Sequence, residues 1–129
     1  MIKSSKRRAQ RAFRYAASLN LRQHFAHAHV DKSLRSRLGI SLRSARVAKG
    51  DTVKVMAGKN KGKTGKVTQV DLGRGIIYVE SLVRKNARGK ERNIPIAPSN
   101  VYILDFDTSS YKGRLERLKK VAQVPKQKQ

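Results

Sequence analysis

Cysteine and tryptophan are missing from this sequence of 129 residues, prolines number only 3, and acidic residues only 8. Without cysteine no disulfide and no thiolate zinc site can form, so stability has to come from a modest apolar core and from whatever the chain binds. Aromatic residues make up 5%, four Tyr and three Phe, too few to supply the row of stacking platforms on which single-strand binders hold successive bases. No apolar run comes near the roughly 18 residues that read as a membrane span. The basic opening of the chain is not followed by an unbroken apolar segment, because Arg11, Arg14 and Arg22 interrupt it, so no signal peptide is expected and the chain reads as cytoplasmic. The few acids are scattered, and no paired carboxylates, Ser/His/Asp set or reactive thiol suggests catalysis.

Against these absences stand 31 Lys and Arg, for a formal net charge of +23. Such a field destabilises a compact chain by self-repulsion unless a polyanion neutralises it. With membranes set aside, nucleic acid is the expected partner, and neither a cofactor nor a small-molecule substrate is implied. Residues 1–50 carry 13 basic and 1 acidic side chains, residues 51–107 carry 11 and 6, and residues 108–129 carry 7 and 1. Mixed charge suits a globular core, whereas nearly pure positive charge suits segments that lie along phosphates. The expected division is therefore a basic helical N-terminal arm over 1–46, a domain over 47–107, and a C-terminal helix with a basic tail over 108–129.

Ala9, Ala12, Phe13, Ala16 and Ala17 fall at helical spacing, with Arg7, Arg11 and Arg14 on the opposite face. A stripe made mostly of alanine buries little area, so this helix should need a surface to dock on. A second short helix is predicted from Asp31 as N-cap, Leu34 and Leu38 on one face, and Gly39 at its end. From Asp51 the period changes to two. Thr52 to Met56, Lys66 to Val70, Ile76 to Glu80, Arg92 to Ile96 and Val101 to Leu104 read as short strands with close turns. That pattern predicts a mainly β fold, a small antiparallel barrel, with Leu72 to Gly75 as a tight turn and Pro95 and Pro98 at an edge or in a connection. Tyr111, Leu115, Leu118 and Ala122 mark a final helix that Pro125 ends.

The densest candidate site is Gly58-Lys59-Asn60-Lys61-Gly62-Lys63-Thr64-Gly65-Lys66. Glycines let a backbone approach phosphates closely, and lysines supply charge without demanding one geometry. The bland alternative is a solvated turn. A third reading is a loosened P-loop over Ala57 to Thr64, with Val101 to Asp105 as the strand carrying a magnesium ligand. A P-loop needs a helix directly after Lys63-Thr64, whose N-terminal amides hold the phosphates. Here a β-rich run follows instead. His24, His27 and His29 invite a metal reading, but zinc requires side chains converging on one point, and surface or nucleic-acid-facing histidines are the simpler expectation. The expected nucleic-acid contacts are Arg7, Arg8, Arg11, Arg14, Arg22, Arg35, Arg37, Arg43, Arg46 and Lys49 before and at the entry to the domain. Within it they are Lys59, Lys61, Lys63, Lys66, Arg84, Lys85 and Arg88.

Val47 to Gly58, followed by Lys61-Gly62-Lys63-Thr64-Gly65-Lys66-Val67, resembles a KOW motif, the RNA-associated module of certain ribosomal proteins and transcription elongation factors. Asn93-Ile94-Pro95-Ile96-Ala97-Pro98-Ser99-Asn100-Val101 is similar to the strand and Pro-Ser turn of the large-subunit ribosomal protein family numbered twenty-four in the bacterial series. The long basic arm resembles its archaeal and eukaryotic branch. The likeness covers about residues 30–122 well and the first 30 loosely, and Ala97 stands where many relatives carry His. It implies an SH3-like barrel that binds large-subunit ribosomal RNA beside neighbouring ribosomal proteins, early in assembly and near the peptide exit tunnel. The alternative is a KOW-type RNA-binding module of transcription elongation, which would account for the middle of the chain alone.

Overall fold

The computed structural model describes residues 3–107, 109 and 113–123, of which 120–123 by their backbone alone. Tyr111, Pro125, the Lys/Gln tail and the side chain of Ala122 lie outside the described residues. The chain runs α1 (Arg7–Ala16), α2 (Leu19–Arg22), a 3-10 turn (Gln23–Ala26), β1 (His27–Val30), α3 (Lys32–Leu38), β2 (Ser44–Arg46), β3 (Thr52–Val55) and β4 (Thr64–Asp71). It continues through β5 (Ile76–Lys85), β6 (Glu91–Ile96), a second 3-10 turn (Pro98–Asn100), β7 (Val101–Asp105) and α4 (Gly113–Gln123). The five expected strands are β3 to β7, each within a few residues of its predicted bounds except β5, which runs five residues further.

The seven strands lie in the order β2-β1-β7-β3-β4-β5-β6. Every pairing among β3 to β7 is antiparallel. Register shifts interrupt β3–β7 at Thr52/Val53, β4–β5 between Val67 and Gln69, and β5–β6 between Tyr78 and Val83. Bulges of this kind bend strands and increase local twist, and they let the sheet curl around one core. Val53, Val55, Val67, Ile77, Val79, Leu82, Ile96, Val101 and Ile103 fill that core, joined by Ala28, Val30, Leu34 and Ala45 from the segment before it. Pro95 sits in β6, the last strand of the order, opposite Tyr78, an edge strand being where a sheet tolerates proline. Pro98 is buried at the start of the second 3-10 turn.

Two strands come from the stretch expected to be a helical arm. β1 pairs antiparallel with β2 (Ala28 opposite Ala45) and parallel with β7 (His29 opposite Tyr102, Val30 opposite Ile103). His27-Ala28-His29-Val30 and Ser44-Ala45-Arg46-Val47 do alternate, with Ala28, Val30, Ala45 and Val47 all buried. Alanine is a weak strand former, so a period of two written in alanine over four residues gives little signal. Between them α3 forms as predicted: the Asp31 carboxylate accepts from the Ser33 N–H at 3.2 Å, Leu34 is buried, and Gly39 closes the helix in the left-handed region at φ 63.

An arginine anchors each of the two terminal helices, beside a few apolar contacts. No residue of α1 is buried. Arg22 ties it down: Nε donates to the Ala17 carbonyl (2.9 Å), one Nη to that of Tyr15 (2.8 Å), and the other to that of Gly73 in the β4–β5 turn (2.9 Å). Phe13 packs edge-on to Phe25 with centroids 6.2 Å apart. At the other end, Arg114 of α4 reaches Asp51, and Leu115 and Leu118 pack on the core.

Candidate nucleic-acid interface

The lysine loop is the hairpin connection between β3 and β4, and its backbone is fixed by its own hydrogen bonds. The Gly62 N–H donates to the Val55 carbonyl (2.8 Å), the Val55 N–H to that of Lys63 (2.9 Å), and the Lys61 N–H to that of Gly58 (3.1 Å). Gly58 and Gly62 have φ of 87 and 90, values that L residues rarely adopt, so both glycines are needed by the turn itself. Gly65 serves another purpose. A Cβ there would come within 2.6 Å of Ser81 Oγ and 2.9 Å of Val79 Cγ1, so this glycine lets β4 lie close to β5. Lys59, Lys61, Lys63 and Lys66 are exposed, and none forms an ion pair among the described residues. β4 begins at Thr64, so no helix amides face the loop and the P-loop reading fails on geometry.

Beside the loop, Gly58, Lys59 and Asn60 line a depression with Pro95, Ile96, Ala97 and Asn100. A cleft of about 450 Å³ opens next to it between α1 and the β4–β5 turn, lined by Arg11, Arg14, Tyr15, Arg22, Arg74, Gly73, Gly75, Ile76 and Ala97. The two depressions meet at Ala97, the position where the resemblance implies histidine. Lys59 of the loop and the arginines of the arm thus line adjoining depressions, with no carboxylate among the lining residues. Tyr15 is 80% exposed on the rim, and Arg14 lies 5.6 Å from the Phe25 centroid. Arg74 was not among the predicted residues; its position in a Gly-rich turn just before the next strand gave no reason to single it out.

The remaining predicted residues divide by their surroundings. Arg7, Arg8, Arg43, Lys49, Arg84 and Arg88 are exposed. Arg37 pairs with Asp105 at 2.8 Å and Lys85 with Glu91 at 3.7 Å, both at the surface, where such pairs contribute little to stability. Arg46 donates to the Gln23 side chain. Arg22 has its guanidinium occupied by three carbonyls, and Arg35 is half-buried on α3. The histidines do not converge: His29 stands against Tyr102 (5.6 Å), while His24 and His27 are tilted rings 6.0 Å apart. Burial, then His24, then Arg46, lower the His27 pKa below its ordinary value.

Residues 4–120 match the profile of the family that comprises the eukaryotic L26 and archaeal L24 ribosomal proteins. The chain belongs to this family. It is 42% identical over 119 residues to the large ribosomal subunit protein uL24 of Methanocella arvoryzae, covering 91% of this chain and 94% of that one. It is 46% identical over 104 residues to the uL24 protein of Methanothrix thermoacetophila, covering 81% and 88%. With the uL24 protein of Pyrobaculum islandicum it shares 44% over 102 residues, covering 79% and 81%. The family is one of ribosomal proteins, so the chain is a structural protein and not an enzyme. The basic surface sits on the residues that carried the resemblance, since the loop and the Pro95–Asn100 segment build one of its two depressions.

Proposed function

We propose that the chain is a structural constituent of the large ribosomal subunit in the cytoplasm and binds large-subunit ribosomal RNA through the surface joining the lysine loop to the arm. The observation that carries this is the meeting of the two depressions. Lys59 of the hairpin lines a depression that adjoins a cleft of arginines across Ala97, with no acid lining either, and Lys61, Lys63 and Lys66 stand exposed on the same hairpin. Phosphate contacts of this kind position a protein on folded RNA through charge and shape. Arg7, Arg8, Arg11, Arg14, Arg74 and Lys49 extend the contact around it, and neighbouring ribosomal proteins cover what the RNA leaves. Early entry into assembly near the peptide exit tunnel is part of the same proposal and rests on the resemblance.

The test is affinity for transcribed large-subunit ribosomal RNA as a function of salt. Lys61→Gln with Lys63→Gln should lower both the affinity and its salt slope, the slope by up to about 0.7–0.9 for each lysine–phosphate pairing that is broken. Lys126→Gln with Lys128→Gln removes the same charge from the tail. If the tail pair weakens binding as much as the loop pair, with both variants folded, the loop is a solvated turn and the interface lies elsewhere.

A further inference from the structure

A third basic pocket, of about 370 Å³, shares no lining residue with the surface just described. It is lined by His29, Val30, Lys32, Arg35, Arg43 and Tyr102. Three are cations and none is a carboxylate. The two nearest acids in sequence are engaged: Asp31 caps α3 through the Ser33 N–H, and Asp105 accepts from Arg37. We infer that this pocket binds a phosphate of the RNA backbone, with Arg35 as its central donor and Lys32 and Arg43 at its rim.

Arg35 carries the argument. Its Nε is buried and has no hydrogen-bond partner among the described residues. A buried guanidinium donor left unsatisfied costs folding stability. The backbone at this residue is fixed, because its carbonyl accepts from the Ile40 N–H at 3.1 Å and from Gly39 at the helix end. The buried Nε is thus a cost that no internal acceptor offsets, while the residue, half-buried as a whole, lines the pocket that an anion can enter. A phosphate oxygen accepts a charge-assisted bond from guanidinium, with geometric specificity that an ammonium lacks. Opposite, the rings of His29 and Tyr102 meet edge-on at 5.6 Å and 60° on the paired strands β1 and β7, a wall on which the adjoining ribose or base can rest. Lys32, His29 and Tyr102 thus join two residues already expected to meet RNA.

The inference rests on the RNA reading, and one experiment separates the two. Binding to transcribed large-subunit ribosomal RNA and thermal midpoints are measured for the full chain, for Arg35→Met, for Arg43→Gln and for the loop pair Lys61→Gln with Lys63→Gln. Removing an unsatisfied buried donor should leave the midpoint of Arg35→Met no lower than that of the parent, while its affinity falls about tenfold or more. Arg43→Gln, at the exposed rim, should also bind more weakly. Unchanged RNA affinity in Arg35→Met overturns the inference. If Arg35→Met melts lower and binds weakly, Arg43→Gln decides: weaker binding supports the pocket, and unchanged binding makes Arg35 a structural residue and overturns it. A third arm adds millimolar inorganic phosphate at matched ionic strength. Stabilisation by phosphate that Arg35→Met abolishes, with RNA affinity unaffected, assigns the pocket to a free anion and overturns the RNA assignment. If the loop pair weakens RNA binding and neither pocket variant does, this inference alone fails; if the parent chain does not bind the RNA, the RNA reading fails with it.

Discussion

Asp51 has no exposed surface, yet it carries a carboxylate into the core. Four donors surround it: the N–H groups of Ala48 (2.8 Å) and Asp107 (3.1 Å), and two nitrogens of Arg114 at 2.5 and 2.8 Å. Arg114, 14% exposed at its side chain, also lies 4.8 Å from the Phe106 centroid and donates to the Arg46 carbonyl. Breaking such a buried pair by removing one partner leaves an uncompensated charge and costs about 3–5 kcal/mol. Asp51→Ala should therefore lower the unfolding free energy by that order in urea titration, far more than Asp105→Ala, which breaks an exposed pair with Arg37 and a bond from the adjacent Phe106 N–H. His27 gives a second prediction at this scale. Its pKa in the folded protein lies below the unfolded value of 6.5, chiefly through burial. As pH falls below about 6.5 the unfolded chain takes up this proton first, so stability declines until the lowered folded value is passed. The thermal midpoint of the parent should fall more steeply than that of His27→Gln on acidification across that window.

At the scale of elements, α1 is an element without a core. Its alanine stripe buries no residue, and ordering costs roughly 1–2 kcal/mol per residue for the backbone. Arg22 also ties it to the Gly73 carbonyl of the domain, a bond that a peptide of residues 1–30 lacks, so that peptide should show little helicity by circular dichroism in plain buffer. Arg22→Ala in the full chain should release the helix without unfolding the β domain, seen as a weaker helical signal with an unchanged cooperative transition. The β4 strand carries the converse case. Gly65→Ala forces a methyl group against Ser81 and Val79, and overpacking of this kind typically costs about 1–3 kcal/mol. Chemical denaturation should detect that cost, although the substitution removes no charge and leaves every lysine of the loop in place.

For the whole molecule, the excess of positive charge is the dominant electrostatic feature. With 31 basic residues against 8 acidic, the free protein repels itself, and bound polyanion should raise its thermal midpoint by mass action. In cell extract the chain should co-sediment with the large ribosomal subunit. Ribonuclease treatment should shift it to the top of the gradient, and co-migration that survives complete digestion of the RNA would show that protein contacts hold it.

The sequence by itself determined the mainly β domain, because β3 to β7 are written largely in valine, isoleucine and tyrosine, with glycine turns from β3 to β6 and a Pro-Ser turn before β7. It determined α3 through its cap residues, and it marked the lysine loop through four like charges within eight residues. Family membership was legible for the same reason, since Val47 to Val67 and Asn93 to Val101 are local strings. What tertiary structure decided is what no local string encodes. The strand His27–Val30 becomes a strand because β7, more than seventy residues later, offers it a parallel edge. Arg22 and Arg114 become clamps because carbonyls and a carboxylate arrive from distant turns. Gly65 was legible as a loop glycine and proved to be a packing glycine, because Ser81 and Val79 approach it from the next strand. The same basic letters, read one by one, could not be sorted into those that hold the protein together and those left facing outward; only long-range packing, which gives each guanidinium its acceptor or leaves it without one, makes that division.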